Sequence, residues 1–452
     1  MGKDKNIPID KSELKSRRYA WDIIKRATLK NRRLTDVLAE RIGRSNFTDQ
    51  EKRFITEIVQ GSVRMAGRLD WELSHVFNGT MDELKINYLI LLRIGVYQIR
   101  YMDSVPDYAA VTTTVQLAKQ IHKNLGGLTN ALLRSLLKED IPKIPDENTP
   151  IDYTSQYYSH PEWMINKWIS ESNFKDAVAL AEWNNKAPQI WFRVNTINYT
   201  ATKFKNYLKK NEIEFDQFPH LKNFFSPKSN VGSLINSDLF KEGSISIQDP
   251  AGGLVVTLLD PQKDEIVVDA CAAPGGKTGF IAELMKNKGK ILAFDKSQDR
   301  LRRLSTGMNR LSIDIVDAEL KDLTREKLPK SDRIITDVPC SGTGVMAKRA
   351  DLRWRRDMDN LLELHLQQRK ILWQAALSLE SGGVLVYSTC SLEFEENWMV
   401  VEAFLKSHPN FKVDDASNYI PNEFVDDKGA LFTFPPKHGI DGGFAVRLIK
   451  DA

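Results

Sequence analysis

Apolar positions in the first third of the chain recur every three to four residues. Phe54, Ile58, Val59 and Val63 fall on one helical stripe, and Leu89, Leu92, Ile94 and Val96 fall on another. Gly61, Gly79 and the pair Gly126-Gly127 punctuate the pattern, and no period-two stretch appears, so residues 13–140 are expected to be all helix. Pro142, Pro145, Pro150 and Pro161 then mark a linker or irregular connection. From 162 to about 245 the pattern is mixed: a helix starting at Trp163-Met164-Ile165, a strand over 189–195, a helix over 201–210 and a strand over 212–215. From 247 onward, short apolar runs at 265–269, 290–294, 333–337 and 383–388 alternate with helical stretches at 277–287, 297–311 and 360–380. That alternation predicts a doubly wound, mostly parallel α/β sheet. Three domains are expected: an all-α domain over 1–145, a small α+β domain over 160–245, and an α/β domain over 246–452. No internal repeat or low-complexity tract interrupts them.

Composition narrows the picture only slightly. A chain of 452 residues exceeds what one core supports, and its 42% hydrophobic and 27% charged content is ordinary for a globular protein. No run of 18 apolar residues occurs, and the first ten residues lack the apolar stretch of a signal peptide, so no membrane span and a cytoplasmic location are expected. Three cysteines without close spacing argue against a disulfide framework or a metal site, and their thiols then stay available. Charge is uneven. Residues 1–33 carry 11 Lys and Arg against four Asp and Glu, which fits either a polyanion-binding arm or a solvated helix face.

The chemistry concentrates where strands end. The apolar run ending in Asp269 is followed by Cys271-Ala272-Ala273-Pro274-Gly275-Gly276-Lys277 and then a helix. Glycines admit a ligand close to the backbone, and the helix start offers free N–H groups. Nineteen residues past Gly276, the next strand ends in Asp295, placed to accept from the hydroxyls of a ribose. Asp317, after Ile315-Val316, is a candidate acceptor for an adenine amino group at the end of a third strand, with Asp314 and Glu319 as rivals. Gly276-Lys277-Thr278 ends like a phosphate loop, but such a loop requires glycine where Cys271 stands. The dinucleotide pattern of three spaced glycines is also absent. A nucleoside without phosphates, S-adenosylmethionine, is the cofactor that fits best.

Two further strands end in cysteine, Cys340 in Asp337-Val338-Pro339-Cys340 and Cys390 in Tyr387-Ser388-Thr389-Cys390. Both are expected at the carboxyl edge of the sheet, where ligands bind. A thiol nucleophile is required when the methyl acceptor is a carbon without a lone pair, such as carbon 5 of cytosine, because addition at carbon 6 makes carbon 5 electron-rich. Asp337 is a candidate donor to the ring nitrogen, and Lys277 a candidate helper from the cofactor turn. Residue chemistry alone does not rank the two thiols. Cys271 reads as a small packing residue. Arg349, Arg353, Trp354, Arg355 and Arg356 follow Cys340 as a basic, aromatic-bearing stretch able to hold phosphates and stack a base, or to form a solvated helix entry.

The runs 269–278, 337–344 and 387–391, with Glu395-Glu396-Asn397 after them, resemble the signature motifs of the Nop2/Sun RNA 5-methylcytosine methyltransferases. The likeness covers roughly 160–450. The helical part resembles the NusB RNA-binding domain in Gly61-Ser62-Val63-Arg64, in 92–98, in Ala109-Ala110-Val111 and in 129–134. This fusion is the architecture of the bacterial Sun-type members. The resemblance implies a Rossmann-like class I methyltransferase domain preceded by a NusB-like domain and a small α+β domain. It implies S-adenosylmethionine as cofactor, bound by residues 271–277, Asp295, Asp317 and Asp337. It implies ribosomal RNA of the small subunit as substrate and partner, Cys390 as attacking thiol, and Cys340 as the thiol that assists product release. A monomer is expected. A transfer RNA substrate, or a non-catalytic RNA-binding assembly factor, are the alternatives. The chain departs from the family at Val338, at Ala350, at Gly443 and in the short stretch from Leu311 to Asp317.

Overall fold

The structure, a computed structural model, describes residues 11–452; the first ten residues of the basic arm lie outside them. The described residues form two compact units, one of 11–186 with 346–355 and one of 187–345 with 356–452.

The first unit is helical: α1 Lys11–Leu29, α2 Leu34–Gly43, α3 Asp49–Arg64, α4 Ala66–Ser74, α5 Ile86–Tyr101, α6 Asp107–Ile121, α7 Leu125–Leu136, α8 Ile151–Tyr158, α9 Glu162–Glu171 and α10 Phe174–Asn185. The expected stripes form its core, with Ile58, Val59, Leu92, Ile94 and Val96 wholly buried. α3 starts where a capping box dictates: Thr48 Oγ1 accepts from Glu51 N, and Glu51 Oε2 accepts from Thr48 N at 2.8 Å. The described part of the basic arm is an amphipathic helix. Ala20, Ile23 and Ile24 face inward, while Arg18 and Arg26 stay exposed. The expected linker is instead helical beyond Pro150. Pro150 and Pro161 are the N-cap residues of α8 and α9, a position where a missing N–H costs nothing. The compact unit that holds these helices runs to Lys186.

Residues 346–355, which include Arg349, Arg353, Trp354 and Arg355, read from the sequence as RNA contacts, are built into this helical unit. Arg353 is fully buried, so its assignment to RNA is corrected. Its Nη1 donates to Ser159 O at 3.0 Å, Arg64 O at 3.2 Å and Asn185 Oδ1 at 2.7 Å, and its Nη2 donates to Asn184 O at 2.9 Å. Burial, and then the neighbouring Arg64, pull its guanidinium well below the usual range. Trp354 donates Nε1–H to Val63 O at 2.8 Å and lays its ring over Gly67, where a β-carbon would stand only 2.7 Å away. Arg355 pairs with Asp351 at 3.4 Å. Arg349 remains exposed.

The second unit begins with a small layer: β1 Phe192–Val194, α11 Ala201–Lys210, β2 Phe215–Gln217, β3 Phe224–Pro227, α12 Val231–Asn236, α13 Asp238–Lys241 and β4 Ile245–Ile247. Its sheet is antiparallel in the order β2-β3-β1-β4. The second strand falls at 215–217, just after the stretch expected from the sequence.

The rest alternates as expected: α14 Pro250–Leu259, β5 Ile266–Asp269, α15 Gly276–Leu284, β6 Lys290–Asp295, α16 Gln298–Arg310, β7 Val316–Leu320, β8 Ser331–Asp337, α17 Met358–Ser378, β9 Leu379–Thr389, α18 Trp398–Ser407, β10 Phe411–Asp414, β11 Leu431–Thr433, α19 Pro435–His438 and β12 Gly443–Lys450. The sheet order is β10-β12-β9-β8-β5-β6-β7, with β11 also on β12. The five strands from β9 to β7 are parallel, and β10, β11 and β12 pair antiparallel. Side chains alternate between two buried faces, which explains the unbroken apolar runs. Val267, Ile335 and Val386 pack with α14, α15 and α16 residues, while Val268, Ile334 and Leu385 pack with α17 and α18.

Arg193 ties the small layer to this sheet. Its Nη2 pairs with Glu283 Oε1 on α15 at 2.7 Å, and its Nη1 donates to Gly276 O at 3.0 Å and to Gln248 Oε1. Asn195 Nδ2 donates to Leu311 O at 2.9 Å and Gly243 O at 3.0 Å.

Truncating Arg353 would orphan buried carbonyls and create a cavity. Arg353→Ala is expected to destabilise the protein by about 3 kcal/mol, read as an earlier unfolding transition in urea. Arg349→Ala is expected to leave that transition unmoved.

Candidate active site

The register of the central strands assembles the site. β8 and β9 are parallel with Asp337 opposite Ser388, so the chain leaves both strands at one level. Two residues beyond Ser388 stands Cys390, and three beyond Asp337 stands Cys340. Their sulfurs lie 3.1 Å apart. The loop between them and the C-terminal strands is close-packed: Gly344 N donates to Cys390 O at 3.0 Å, and a β-carbon at Gly344 would stand 2.3 Å from Gly442 O. At Gly443, where the family resemblance implied an aromatic, a β-carbon would press on Thr389 O at 3.1 Å.

The neighbouring β5 delivers the Gly-rich turn. The Ala273-Pro274 peptide is cis, Gly275 adopts φ of 101°, and α15 begins at Gly276. A side chain other than glycine would be strained at Gly275 and would approach Leu304 at 3.1 Å. Lys277 reaches back from α15 to place Nζ 2.7 Å from Asp337 Oδ2, while Ser388 Oγ donates to Asp337 Oδ1 at 3.0 Å. Burial alone would lower the Lys277 ammonium, but Asp337, and after it Cys390, raise it above its usual value. Thr278 Oγ1 donates to Asp269 Oδ2 at 2.7 Å. The hydroxyl and ammonium that imitate a phosphate loop are thus both engaged by carboxylates.

The two thiols differ in their charged surroundings. Cys340 is held protonated well above the usual thiol range by its hydrogen bond with Cys390 and by burial, and then by the negative fields of Cys390, Glu396 and Asp337. Cys390 is instead the thiol that interacts with the Lys277 ammonium. Cys271 is pushed far up by burial and by Asp269, as suits a packing residue whose backbone shapes the turn.

Asp295 ends β6 and is almost wholly buried. Its Oδ1 accepts from Ser297 N at 2.9 Å, and its Oδ2 pairs with Arg300 Nη1 at 3.0 Å. Arg300 also donates to Ala273 O, so one guanidinium spans the Gly-rich turn and the tip of β6. Sequence reading missed Arg300, although its place in the first turn of α16, five residues past Asp295, was a usable signal.

Asp317 requires correction. It is the second residue of β7, opposite Leu292, rather than the last. Its side chain is 67% exposed and pairs with Lys290 at 2.9 Å, near the amino edge of the sheet. The tip of β7 is Leu320, opposite Asp295, and the first carboxylate past it is Asp322. Lys321 N donates to Asp295 O at 3.1 Å, which keeps this tip beside β6. Asp322 Oδ1 accepts from Thr324 N and Thr324 Oγ1, and these bonds hold its carboxyl below the usual range. Asp322 occupies the edge position expected of Asp317.

Arg356, read as a phosphate contact, donates Nε–H to Ser341 O at 3.1 Å and Nη2–H to Cys340 O at 3.2 Å. It braces the Pro-Cys loop from within.

The residues at this edge fit a nucleoside sulfonium cofactor with an amino-acid tail. Gly276 has open space where a β-carbon would be. Asp269 Oδ1 is buried and lacks a hydrogen-bond donor, which an ammonium group would supply. No group of residues that could hold a metal ion occurs among the described residues. No described helix is long and apolar enough to cross a membrane.

The model of the 16S rRNA methyltransferase RsmB/F family matches residues 256–449, that of the NusB family matches 14–138, and that of the RsmF/B-like ferredoxin-like domain matches 160–224. The probable ribosomal RNA small subunit methyltransferase B of Bacillus subtilis is 32% identical over 93% of this chain and 95% of its own length. Ribosomal RNA small subunit methyltransferase B of Pectobacterium atrosepticum is 32% identical over 91% of this chain and 93% of its own. The crystal structure of PH0851 superposes with a TM-score of 0.80 at 26% identity, covering 99% of this chain and all of that one.

Burial pushes the Asp269 carboxyl up to about 7, and the nearby Asp337 adds to this against the opposing Thr278 hydrogen bond. In the unfolded chain the group ionises near 4. Its cost to stability is therefore absent below about pH 4, grows as pH rises, and is complete above about 7. Asp269→Asn is expected to flatten stability between pH 5 and 8 relative to wild type, measured by urea unfolding across that range without cofactor.

Proposed function

Because the chain belongs to the RsmB/F family of 16S rRNA methyltransferases, we propose that it methylates carbon 5 of a cytosine in small-subunit ribosomal RNA through a covalent adduct with Cys390. S-adenosylmethionine is the cofactor, and when bound it supplies an electrophilic methyl group.

The observation that carries the covalent reading is the unequal setting of two thiols 3.1 Å apart. Only a small fraction of an ordinary thiol is ionised at neutral pH, so a nucleophile needs a nearby cation. Lys277 supplies it for Cys390, whereas the negative groups around Cys340 keep that thiol protonated. Cys390 as thiolate adds to carbon 6 of the cytosine, and the displaced electron pair runs towards the ring nitrogen, where Asp337 with its Lys277 partner delivers a proton. Carbon 5 then takes the methyl group. Loss of the carbon-5 proton to water re-forms the double bond and expels the Cys390 thiolate, to which the protonated Cys340 beside it returns a proton; the ring nitrogen gives its proton back to the Asp337–Lys277 pair, and the proton taken up by water restores Cys340. The backbone of residues 271–277, Asp295 and Asp322 form the proposed cofactor cradle. Arg349, exposed on the helical unit, and the outward face of Trp354 are the remaining proposed RNA contacts.

Labelled methyl transfer to transcribed small-subunit ribosomal RNA tests this directly. Cys390→Ser is expected to abolish transfer, and Cys340→Ala to accumulate a protein–RNA adduct that survives denaturing electrophoresis. Full activity in Cys390→Ser together with loss in Cys340→Ser would reverse the roles. A product methylated on the exocyclic nitrogen would remove the covalent step altogether.

Cofactor binding separates the two aspartates. Asp322→Ala is expected to weaken S-adenosylhomocysteine binding about tenfold, as for one lost hydrogen bond to a charged group, while Asp317→Ala leaves it unchanged in calorimetric titration.

A further inference from the structure

Behind the two thiols lies a carboxylate whose negative field bears on Cys340 but whose hydrogen bonds the reaction as described does not use. Glu396 sits in a short 3-10 turn, Phe394–Glu396, and is fully buried. Its Oε1 accepts from Ser341 N and from Gln368 Nε2, each at 2.8 Å. Its Oε2 accepts from Ser391 Oγ at 2.5 Å and from Ser341 Oγ. Ser341 directly follows Cys340, and Ser391 directly follows Cys390. One carboxylate therefore grips the residue next to each thiol.

The grip is braced from every side. The two serine oxygens lie 3.1 Å apart. Gln368 on α17 also donates to Pro339 O at 3.0 Å. Tyr387 donates its hydroxyl to Glu396 O at 2.6 Å, and Asn397 links Thr389 Oγ1 at 2.7 Å to Ser391 O at 3.0 Å. A buried carboxylate is tolerated only where donors saturate it, and here four donors do so.

We propose that Glu396 is a positioning residue that fixes the spacing of the Cys340 and Cys390 sulfurs by clamping the two serines that follow them. This rests on the covalent reading above and adds to it the part that sets its geometry. The physical argument is distance. A shorter side chain withdraws the carboxylate by about one bond, roughly 1.5 Å. A misplacement of about 1 Å at reacting groups costs on the order of 100-fold in rate. Charge is not what the clamp needs. A glutamine can accept from the two N–H donors with its oxygen and donate to the two hydroxyls with its nitrogen.

The test uses the full chain, labelled S-adenosylmethionine and transcribed small-subunit ribosomal RNA. Glu396→Asp is expected to slow single-turnover methylation roughly 100-fold with KM for RNA and cofactor within about twofold of wild type. Glu396→Gln is expected to restore the rate to within about tenfold. A wild-type rate in Glu396→Asp, a loss confined to KM, or a Glu396→Gln variant as slow as Glu396→Asp would each overturn the proposal. Should Glu396→Asp fail to fold, the double variant Ser341→Ala with Ser391→Ala removes both hydroxyl donors and is expected to slow transfer at least tenfold; an unchanged rate overturns the proposal. A Cys340→Ala background separates this idea from the one beneath it. If Cys340→Ala alone traps no adduct, the covalent reading fails and the clamp with it. If it traps adduct as fast with Glu396→Asp as without, only the clamp fails.

Discussion

The pairing of β8 with β9 is the constraint on which the chemistry depends. The two strands run parallel with Asp337 opposite Ser388, and that register alone brings Cys340 and Cys390 to the same edge. In a sheet buried on both faces, a one-residue slip would turn Ile334, Ile335, Leu385 and Val386 to the wrong sides of the sheet. The apolar core therefore protects the register, and the register protects the thiols. Packing energy far larger than any single polar contact keeps the two strand ends level, and the residues just beyond them set the 3.1 Å between the sulfurs.

Onto that frame the polar groups write an asymmetry. Lys277 comes from α15, Asp337 from β8 and Glu396 from a turn after β9, so the charges around the sulfurs have three separate origins in the chain. The cation acts on Cys390, and the anions act on Cys340. The two thiols do not differ in residue type, and each follows a parallel strand. The difference is made wholly by neighbours.

This bears on what was legible in the chain. The Gly-rich turn was readable because its function is local: contiguous residues form the turn, the helix start and the backbone donors. The two strand-terminal cysteines were readable because short apolar runs announce buried strands. The rank of the thiols was not, because Lys277 and Glu396 lie 113 and 6 residues from Cys390. Asp317 misled because β7, Val-Asp-Ala-Glu-Leu, is a polar outer strand with four of its five residues exposed, so no apolar run shows where it ends. Arg353 misled because basic residues are usually solvated, and only the carbonyls of Arg64, Ser159 and Asn184 reveal a buried socket for it. Pro142 and Pro145 do lie in an irregular connection, but Pro150 and Pro161 misled because a proline that breaks one helix serves equally well to begin the next.

The Arg193–Glu283 pair has a consequence for how such a chain can be assembled. The guanidinium belongs to the small antiparallel layer, while the carboxylate and the Gly276 carbonyl belong to the cofactor-binding half. Removing either half strands an unpaired charge in the interior, at a cost of about 3–5 kcal/mol. The small layer is thus no detachable module. An unrelated domain in its place would leave the Glu283 carboxylate buried without its cation.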